Sequence, residues 1–228
     1  MKVNDAAVPE VGTDWTFKNA KVAESFDKHV RGQLPWYELM SGAVAHIARH
    51  YIPEEGTVLD LGCSTGNIER VLLDTLKARG VNFIGVDNSE DMLDAYREAN
   101  SYENTWLQQT DYVDSEWDIP EYDVAILFLS LMFVTPSKRK DFIKRLLKSK
   151  RDGGCIIVVD KTEAQRGYIG TIMARLTLAG KVATGQDEVD IVAKELSLMG
   201  IQRPIKIEQF PNPVEIFRFG EFAGWIIE

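Results

Sequence analysis

Val58-Leu-Asp-Leu-Gly-Cys-Ser-Thr-Gly66 is an apolar run that breaks into a turn of small residues and leads straight into the helical pattern Asn67 to Leu76. An apolar segment such as Thr57 to Leu61 suits a buried parallel strand, while Gly62 and Gly66 let backbone come close to a ligand. The free N–H groups at the start of the next helix favour polar ligand atoms. A second run, Val81-Asn-Phe-Ile-Gly-Val-Asp87, ends on a carboxylate able to accept both hydroxyls of a ribose. Together the two segments describe a site for a nucleoside-type cofactor.

Spacing narrows the ligand. A dinucleotide fold asks for G-x-G-x-x-G in this first turn, whereas the turn here is G-x-x-x-G with an acid, Asp60, shortly before its first glycine. An aspartate so placed repels a pyrophosphate but can orient the ammonium of an amino acid, directly or through water. The ligand implied is a ribose carrying an amino-acid moiety.

Composition sets the frame around this site. A chain of 228 residues can bury roughly 70% of its unfolded surface in one core, and α/β folds of this size are usually single domains. One domain over residues 1–228 is therefore expected. Lys plus Arg number 26 against 35 Asp plus Glu, a net charge of −9, which disfavours sequence-independent adhesion to nucleic acid or acidic membranes. The two cysteines, Cys63 in the glycine turn and Cys155 in an expected strand, form neither a disulfide framework nor a metal-ligand set. No metal is expected. With no long apolar span, and a start that lacks the basic and apolar regions of a signal peptide, a cytoplasmic location is expected.

Along the chain, strand-like and helix-like patterns alternate as parallel βαβ units do. Strands are expected at Thr57 to Leu61, Val81 to Val86, Thr105 to Gln109, Tyr122 to Phe128 and Cys155 to Asp160, with helices between them. Ahead of them Ala20 to Phe26 and Met40 to Tyr51 read as two helices that Pro35 keeps apart, an N-terminal cap over residues 15–51. Thr135-Pro136 marks a helix start with Thr as N-cap, Phe142, Ile143, Leu146 and Leu147 supply its buried stripe, and Gly153-Gly154 ends that connection. The cations from Lys138 to Arg151 read as a solvated helix face. Residues 161–200 form a variable region in which Ile169 to Leu178 suits a lid, a pocket wall or a homodimer interface, followed by a helix Asp187 to Met199. Two strand-like runs, Ile205 to Phe210 and Phe222 to Ile227, are expected to pair antiparallel at the sheet edge.

Asp60-Leu-Gly-Cys-Ser-Thr-Gly66 and Val86-Asp87-Asn88-Ser89, in this order and context, resemble the class I S-adenosylmethionine-dependent methyltransferases. The resemblance implies a doubly wound, mostly parallel seven-stranded α/β sheet with an antiparallel last strand, the Rossmann-like methyltransferase fold. It also implies S-adenosylmethionine as cofactor, held by Asp60, Gly62, Cys63, Ser64, Gly66, Asp87 and Asn88. Within that superfamily the chain is similar to the carboxy-S-adenosylmethionine synthase family, whose product serves tRNA wobble-uridine modification. The likeness runs through Val22-Ala-Glu-Ser-Phe26, Pro35-Trp-Tyr37, Asp87-Asn-Ser89, Phe133 with Pro136-Ser137, Gly153-Gly154 and Phe219-Gly220. By that likeness Tyr37 lies at the cofactor, and Asp111, with Tyr112 after it, sits beside the adenine.

Three departures bear on activity. Phe128 and Met132 stand where the family has polar residues, and the segment after the fifth strand, Lys161 to Val189, lacks the helix bearing an arginine that pairs with the added carboxylate. Arg166 and Arg175 are the available substitutes. Methyl transfer asks mainly for alignment of acceptor, methyl carbon and sulfur, so no obligatory catalytic motif is expected. His29 in the cap is the nearest candidate base, although His29, His46 and His50 equally suit surface or helix-end positions. Phe128, Met132 and Phe133 read either as core or as the wall of an acceptor pocket. The leading expectation is an S-adenosylmethionine-dependent methyltransferase acting on a small, partly apolar acceptor. A carboxy-S-adenosylmethionine synthase with an altered carboxylate site, using carboxy-S-adenosylmethionine chemistry, and a non-catalytic adenosyl-ligand binding protein are the alternatives.

Overall fold

A computed structural model describes residues 26–27, 30–100, 102–163, 167–183, 185, 187–198 and 200–228. Seven strands form one sheet: β1 (Thr57–Leu61), β2 (Asn82–Asp87), β3 (Thr105–Gln109), β4 (Tyr122–Phe128), β5 (Lys150–Lys161), β6 (Val214–Phe219) and β7 (Phe222–Ile227), in the order β3-β2-β1-β4-β5-β7-β6. The first five run parallel, β7 lies antiparallel to β5, and β6 antiparallel to β7. Connecting them are α1 (Tyr37–Ala48), ahead of β1, then α2 (Asn67–Arg79), α3 (Glu90–Ala99), α4 (Pro136–Ser149), α5 (Tyr168–Ala183) and α6 (Glu188–Ser197). β1 and β4 are buried along their whole length because helices cover both faces, which is why their sequences are apolar runs and not alternations. Two cores result, one built around Val44, Ile68 and Phe83 and the other around Leu61, Phe142 and Ile156.

Several local expectations hold in detail. Ser89 caps α3 by accepting the Met92 N–H, and Asp187 caps α6 by accepting from Val189 and Asp190. Pro35 does separate a helical stretch at residues 30–33 from α1, but α1 begins at Tyr37 rather than Met40. The expected helix Ala20 to Phe26 falls outside the described residues except for Phe26. Thr135 precedes α4 as expected, with Pro136 at its first turn, yet its side chain makes no capping bond.

Two expectations are corrected. Ile205 to Phe210 is no strand: Ile205 makes one isolated parallel bridge to Thr162, residues Ile207–Gln209 are a 3-10 turn, and the partner of β7 is Val214–Phe219. The apolar pattern at Ile205 and Phe210 records burial in the second core, whereas β6 is an exposed edge whose Glu215 and Arg218 obscure its alternation. Gly153-Gly154 likewise does not end a connection but lies inside β5, which starts at Lys150. The β4–β5 register shifts between Tyr122 and Val124, and a Cβ on Gly154 would stand 2.3 Å from Asp123 O.

The basic face of α4 is also not wholly solvated. Arg139 is 2% exposed and donates to the carbonyls of Val134 (3.0 Å), Pro204 (2.9 Å), Met132 (3.4 Å) and Arg203 (2.7 Å). It staples the segment after β4 to the segment after α6. Arg139→Ala removes its donors from those carbonyls, although Met132 O keeps the Arg203 N–H (2.8 Å), so a loss of about 3 kcal/mol in urea unfolding is expected; a loss near zero would mean that water replaces the guanidinium freely.

Candidate functional site

The sheet order reverses between β1 and β4, whose helical connections depart to opposite faces, so a crevice opens at the carboxyl ends of those strands. A cavity of about 630 Å³ occupies it, within the span of about 300–1,000 Å³ usual for small-ligand sites. Its floor is the glycine turn. Gly62 and Cys63 both donate to Val86 O (2.8 and 3.1 Å), which ties the end of β1 to the end of β2 and brings Asp60 and Asp87 to one place. Gly62 and Gly66 take positive φ values of 80° and 82°, and Ser64 between them adopts 49°. A Cβ on Gly62 would lie 2.4 Å from Ser130 Cβ, so the turn is pressed against the loop after β4.

Asp60 is 1% exposed and, among the described residues, neither of its carboxylate oxygens has a hydrogen-bond partner. Burial first, then the nearby Asp87 and Glu69 carboxylates, push its carboxyl well above the usual range. Asp87 is differently placed: Oδ2 accepts the Ser64 N–H (2.9 Å) and Oδ1 accepts the Ser89 N–H (3.0 Å), bonds that partly offset the upward push of burial. Each oxygen keeps lone-pair capacity for another donor. Asn88, Thr110, Asp111 and Tyr112 continue the wall. Tyr112 buries its hydroxyl beside Ser130, and Asp111 at the rim lies 3.7 Å from Lys138.

Over the turn sits the cap. Asp27 accepts from Thr65 Oγ1 (2.9 Å) and pairs with Arg70 (2.7 Å), Arg31 pairs with Asp27 and Glu38 and lies over the Tyr37 ring at 5.2 Å, and Tyr37 meets Phe128 edge-on at 5.3 Å. Asn67 joins cap to turn by donating to Ser41 Oγ (2.8 Å) and accepting from Arg31 (3.3 Å).

The sequence profile described as a methyltransferase domain matches this chain from the second residue of β1 into β5. Residues 58–154 match the methyltransferase-domain family. Curated relatives similar to the chain include carboxy-S-adenosyl-L-methionine synthases from Staphylococcus epidermidis, 28% identical over 92% of this chain and 91% of that one, and from Aliivibrio salmonicida, 27% identical over 96% and 91%. Among solved structures the DhpI–SAH complex superposes with a TM-score of 0.56 over 91% of each chain at 16% identity. Human N-acetylserotonin methyltransferase in complex with SAM superposes with a TM-score of 0.60 at 14% identity, over 92% of this chain and 56% of that one. These likenesses show that the chain has the fold of those methyltransferases, and its own strand pairing gives the antiparallel end. Its sheet is the doubly wound one that the resemblance implied.

Of the residues singled out in the sequence, Tyr37, Asp60, Gly62, Cys63, Ser64, Asp87, Asn88, Asp111 and Tyr112 all line this cavity, and Gly66 shapes the turn beneath it. Phe128, Met132 and Phe133 line it too. His29 and Arg166 lie outside the described residues, and Arg175 is on the exposed side of α5, away from the cavity. Cys63 and Cys155 are buried free thiols. Among the described residues no cluster is suited to a metal ion and no helix is long and apolar enough to cross a membrane. Thr177 and Leu178, within the stretch Ile169 to Leu178 for which a pocket wall was one reading, do line the cavity, but sequence reasoning missed the charged side chains of that far wall, Lys181 of α5, Lys194 and Glu195 of α6, Lys161 and Glu221. The available signal was Lys181 itself, a cation on a helix with only one other charged side chain, Arg175.

Proposed function

We propose that the chain binds S-adenosylmethionine and transfers its methyl group to a small, partly apolar acceptor. The observation that carries this reading is Asp60: a buried carboxylate whose two oxygens have no partner among the described residues and which lines the cavity asks for a cationic ligand group, and the amino acid of that cofactor brings an ammonium. The other residues fit the same molecule. Asp87 offers lone pairs to the ribose hydroxyls, the turn from Gly62 to Gly66 offers backbone, Tyr112 offers a hydroxyl, Asp111 and Asn88 flank the adenine side, and Tyr37 closes the cap. The cofactor supplies a methyl group already activated on a sulfonium. What remains for the protein is to orient the acceptor against it and exclude water, a role suited to the aromatic wall of Tyr37, Phe128 and Phe133. His29 is retained as candidate base, and residues 161–200 as the acceptor-side lid of a single domain.

Calorimetric titration with S-adenosylhomocysteine tests the cofactor half. The full chain is expected to bind, and Asp87→Ala, with the fold intact by circular dichroism, is expected to lose affinity about thirtyfold, as removal of a charged hydrogen-bond partner does. Equal affinity would remove Asp87 from the site. A second reading, a carboxy-S-adenosylmethionine synthase, is favoured by the curated relatives of that name at 24–28% identity. Mass spectrometry of nucleosides released from freshly purified, denatured protein separates the two, since a carboxylated sulfonium species belongs only to the second.

A further inference from the structure

Three buried acids surround the glycine turn, and among the described residues donors reach only two of them. Glu69 of α2, 1% exposed, accepts from the Tyr96 hydroxyl (3.0 Å) and from the Thr105 hydroxyl. Asp87, at the end of β2, accepts the backbone N–H groups of Ser64 and Ser89. Asp60 has no such donor on either oxygen, and β1, which carries it, is buried along its whole length. An ionised carboxylate so enclosed is costly, and without a cation to pair with it takes up a proton instead.

The surroundings keep that proton in place. After burial itself, the Asp87 and Glu69 carboxylates push the Asp60 carboxyl up. Burial raises Asp87 as well, but there the N–H groups of Ser89, Ser64 and Asn88 oppose it, so of the two acids Asp60 is the one that takes the proton. On the cap side Arg70 pairs with Asp27, and Arg31 with Asp27 and Glu38, which commits those cations elsewhere. Burial, ahead of any charge, also raises the Cys63 thiol and the hydroxyls of Tyr37 and Tyr96, which therefore keep their protons through the neutral range.

Resting on the transferase reading above, we propose that cofactor binding is coupled to proton release: Asp60 is neutral in the ligand-free protein and gives its proton to water as the cofactor's ammonium arrives. The O–H bond of the carboxyl breaks, the proton leaves to solvent, and the carboxylate and the ammonium form a pair without net charge. In this way Asp60 is never an isolated buried anion, covered by a proton in one state and by the ammonium in the other. An adenosyl ligand that lacks the amino acid cannot displace the proton. Affinity for the cofactor also gains a pH dependence with a fixed sign. It rises with pH between the Asp60 value in the complex and the raised value of the ligand-free protein, tenfold per unit for one proton released, and levels off above the latter.

Calorimetric titration of the full chain with S-adenosylhomocysteine, in phosphate and in imidazole at about pH 6.5, counts the protons, because the two buffers take up a released proton with different heats. Release of about one proton per bound ligand is expected, with affinity tightening about tenfold between about pH 6 and pH 7. 5′-Methylthioadenosine, which keeps the adenosine but has no ammonium, is expected to bind without release. Asp60→Asn, which has no proton to give, is expected to bind S-adenosylhomocysteine weakly, without release and with a flat pH profile; the comparison of the two ligands on the unaltered chain does not depend on that variant folding. Binding of S-adenosylhomocysteine without proton release overturns the coupling and leaves the cofactor reading standing. Equal release with 5′-methylthioadenosine, or release that persists in Asp60→Asn, overturns the assignment to Asp60 and moves the proton to another group such as Asp87. A chain that binds neither ligand overturns the transferase reading itself.

Discussion

Asp60→Asn is expected to weaken binding of S-adenosylhomocysteine about thirtyfold or more while raising the stability of the ligand-free protein. The two effects have one cause. In the ligand-free chain the Asp60 carboxylate is buried, without a partner among the described residues, and repelled by Asp87 and Glu69, so a neutral isostere relieves about 2 kcal/mol and lifts Tm by roughly 4–8 °C. With ligand, on the proposed reading, the carboxylate partners the ammonium, and its loss removes a charge-assisted bond. The pH dependence carries the sign of the shift. Because the folded-state value lies above the unfolded one, the native protein holds a proton that the unfolded chain releases, and stability falls as pH rises from the unfolded value of about 4 toward the raised folded one. The advantage of Asp60→Asn should therefore be largest above that raised value and shrink toward pH 4. Asp160, buried at the end of β5 and pushed up to about 7, imposes a similar decline between about pH 4 and 7, which both proteins share. Thermal melts across pH, paired with calorimetry, check both halves; a variant less stable than its parent yet unchanged in affinity would show that Asp60 is structural.

The glycine-turn end of the cavity was legible because its structural demands are local. A strand buried on both faces, a turn needing positive φ and an acid at a strand end each leave a signature within a few residues, and β1 with Gly62, Gly66 and Asp87 carried all three. The far end was not legible. Lys161, Lys181, Lys194 and Glu221 come from β5, α5, α6 and the β6–β7 turn, and only the tertiary fold places them together. The same distinction explains the misread edge: Ile205 and Phe210 are apolar because they plug the second core, while the strand that pairs with β7 is exposed and carries Glu215 and Arg218. Arg139 looked like one more cation on a solvated helix because its carbonyl partners at Arg203 and Pro204 lie far along the chain.

A strand-to-helix turn that serves a ligand through its backbone cannot tolerate a side chain where the backbone must approach, and Gly62 puts this to a quantitative test. Gly62→Ala is expected to lose about 4 kcal/mol of stability and to depress S-adenosylhomocysteine binding below detection. Two terms contribute. The φ of 80° strains any residue with a Cβ, which accounts for about 1–2 kcal/mol, and the added methyl meets Ser130 Cβ at 2.4 Å, which accounts for the remainder. Ser130 cannot simply move aside, because its hydroxyl donates to Leu61 O at 2.6 Å and so holds the loop after β4 against the end of β1. The two terms separate in a double-mutant cycle. Ser130→Gly alone forfeits that hydrogen bond at about 1 kcal/mol, but in its background Gly62→Ala should incur only the φ strain, so the coupling between the two sites is expected near 2 kcal/mol and favourable. If the two substitutions were additive, the clash would be negligible and the glycine would be required by conformation alone. If stability recovered in the double variant while ligand affinity did not, the methyl would be obstructing the ligand itself, which is the outcome expected of a turn whose backbone lies against the cofactor.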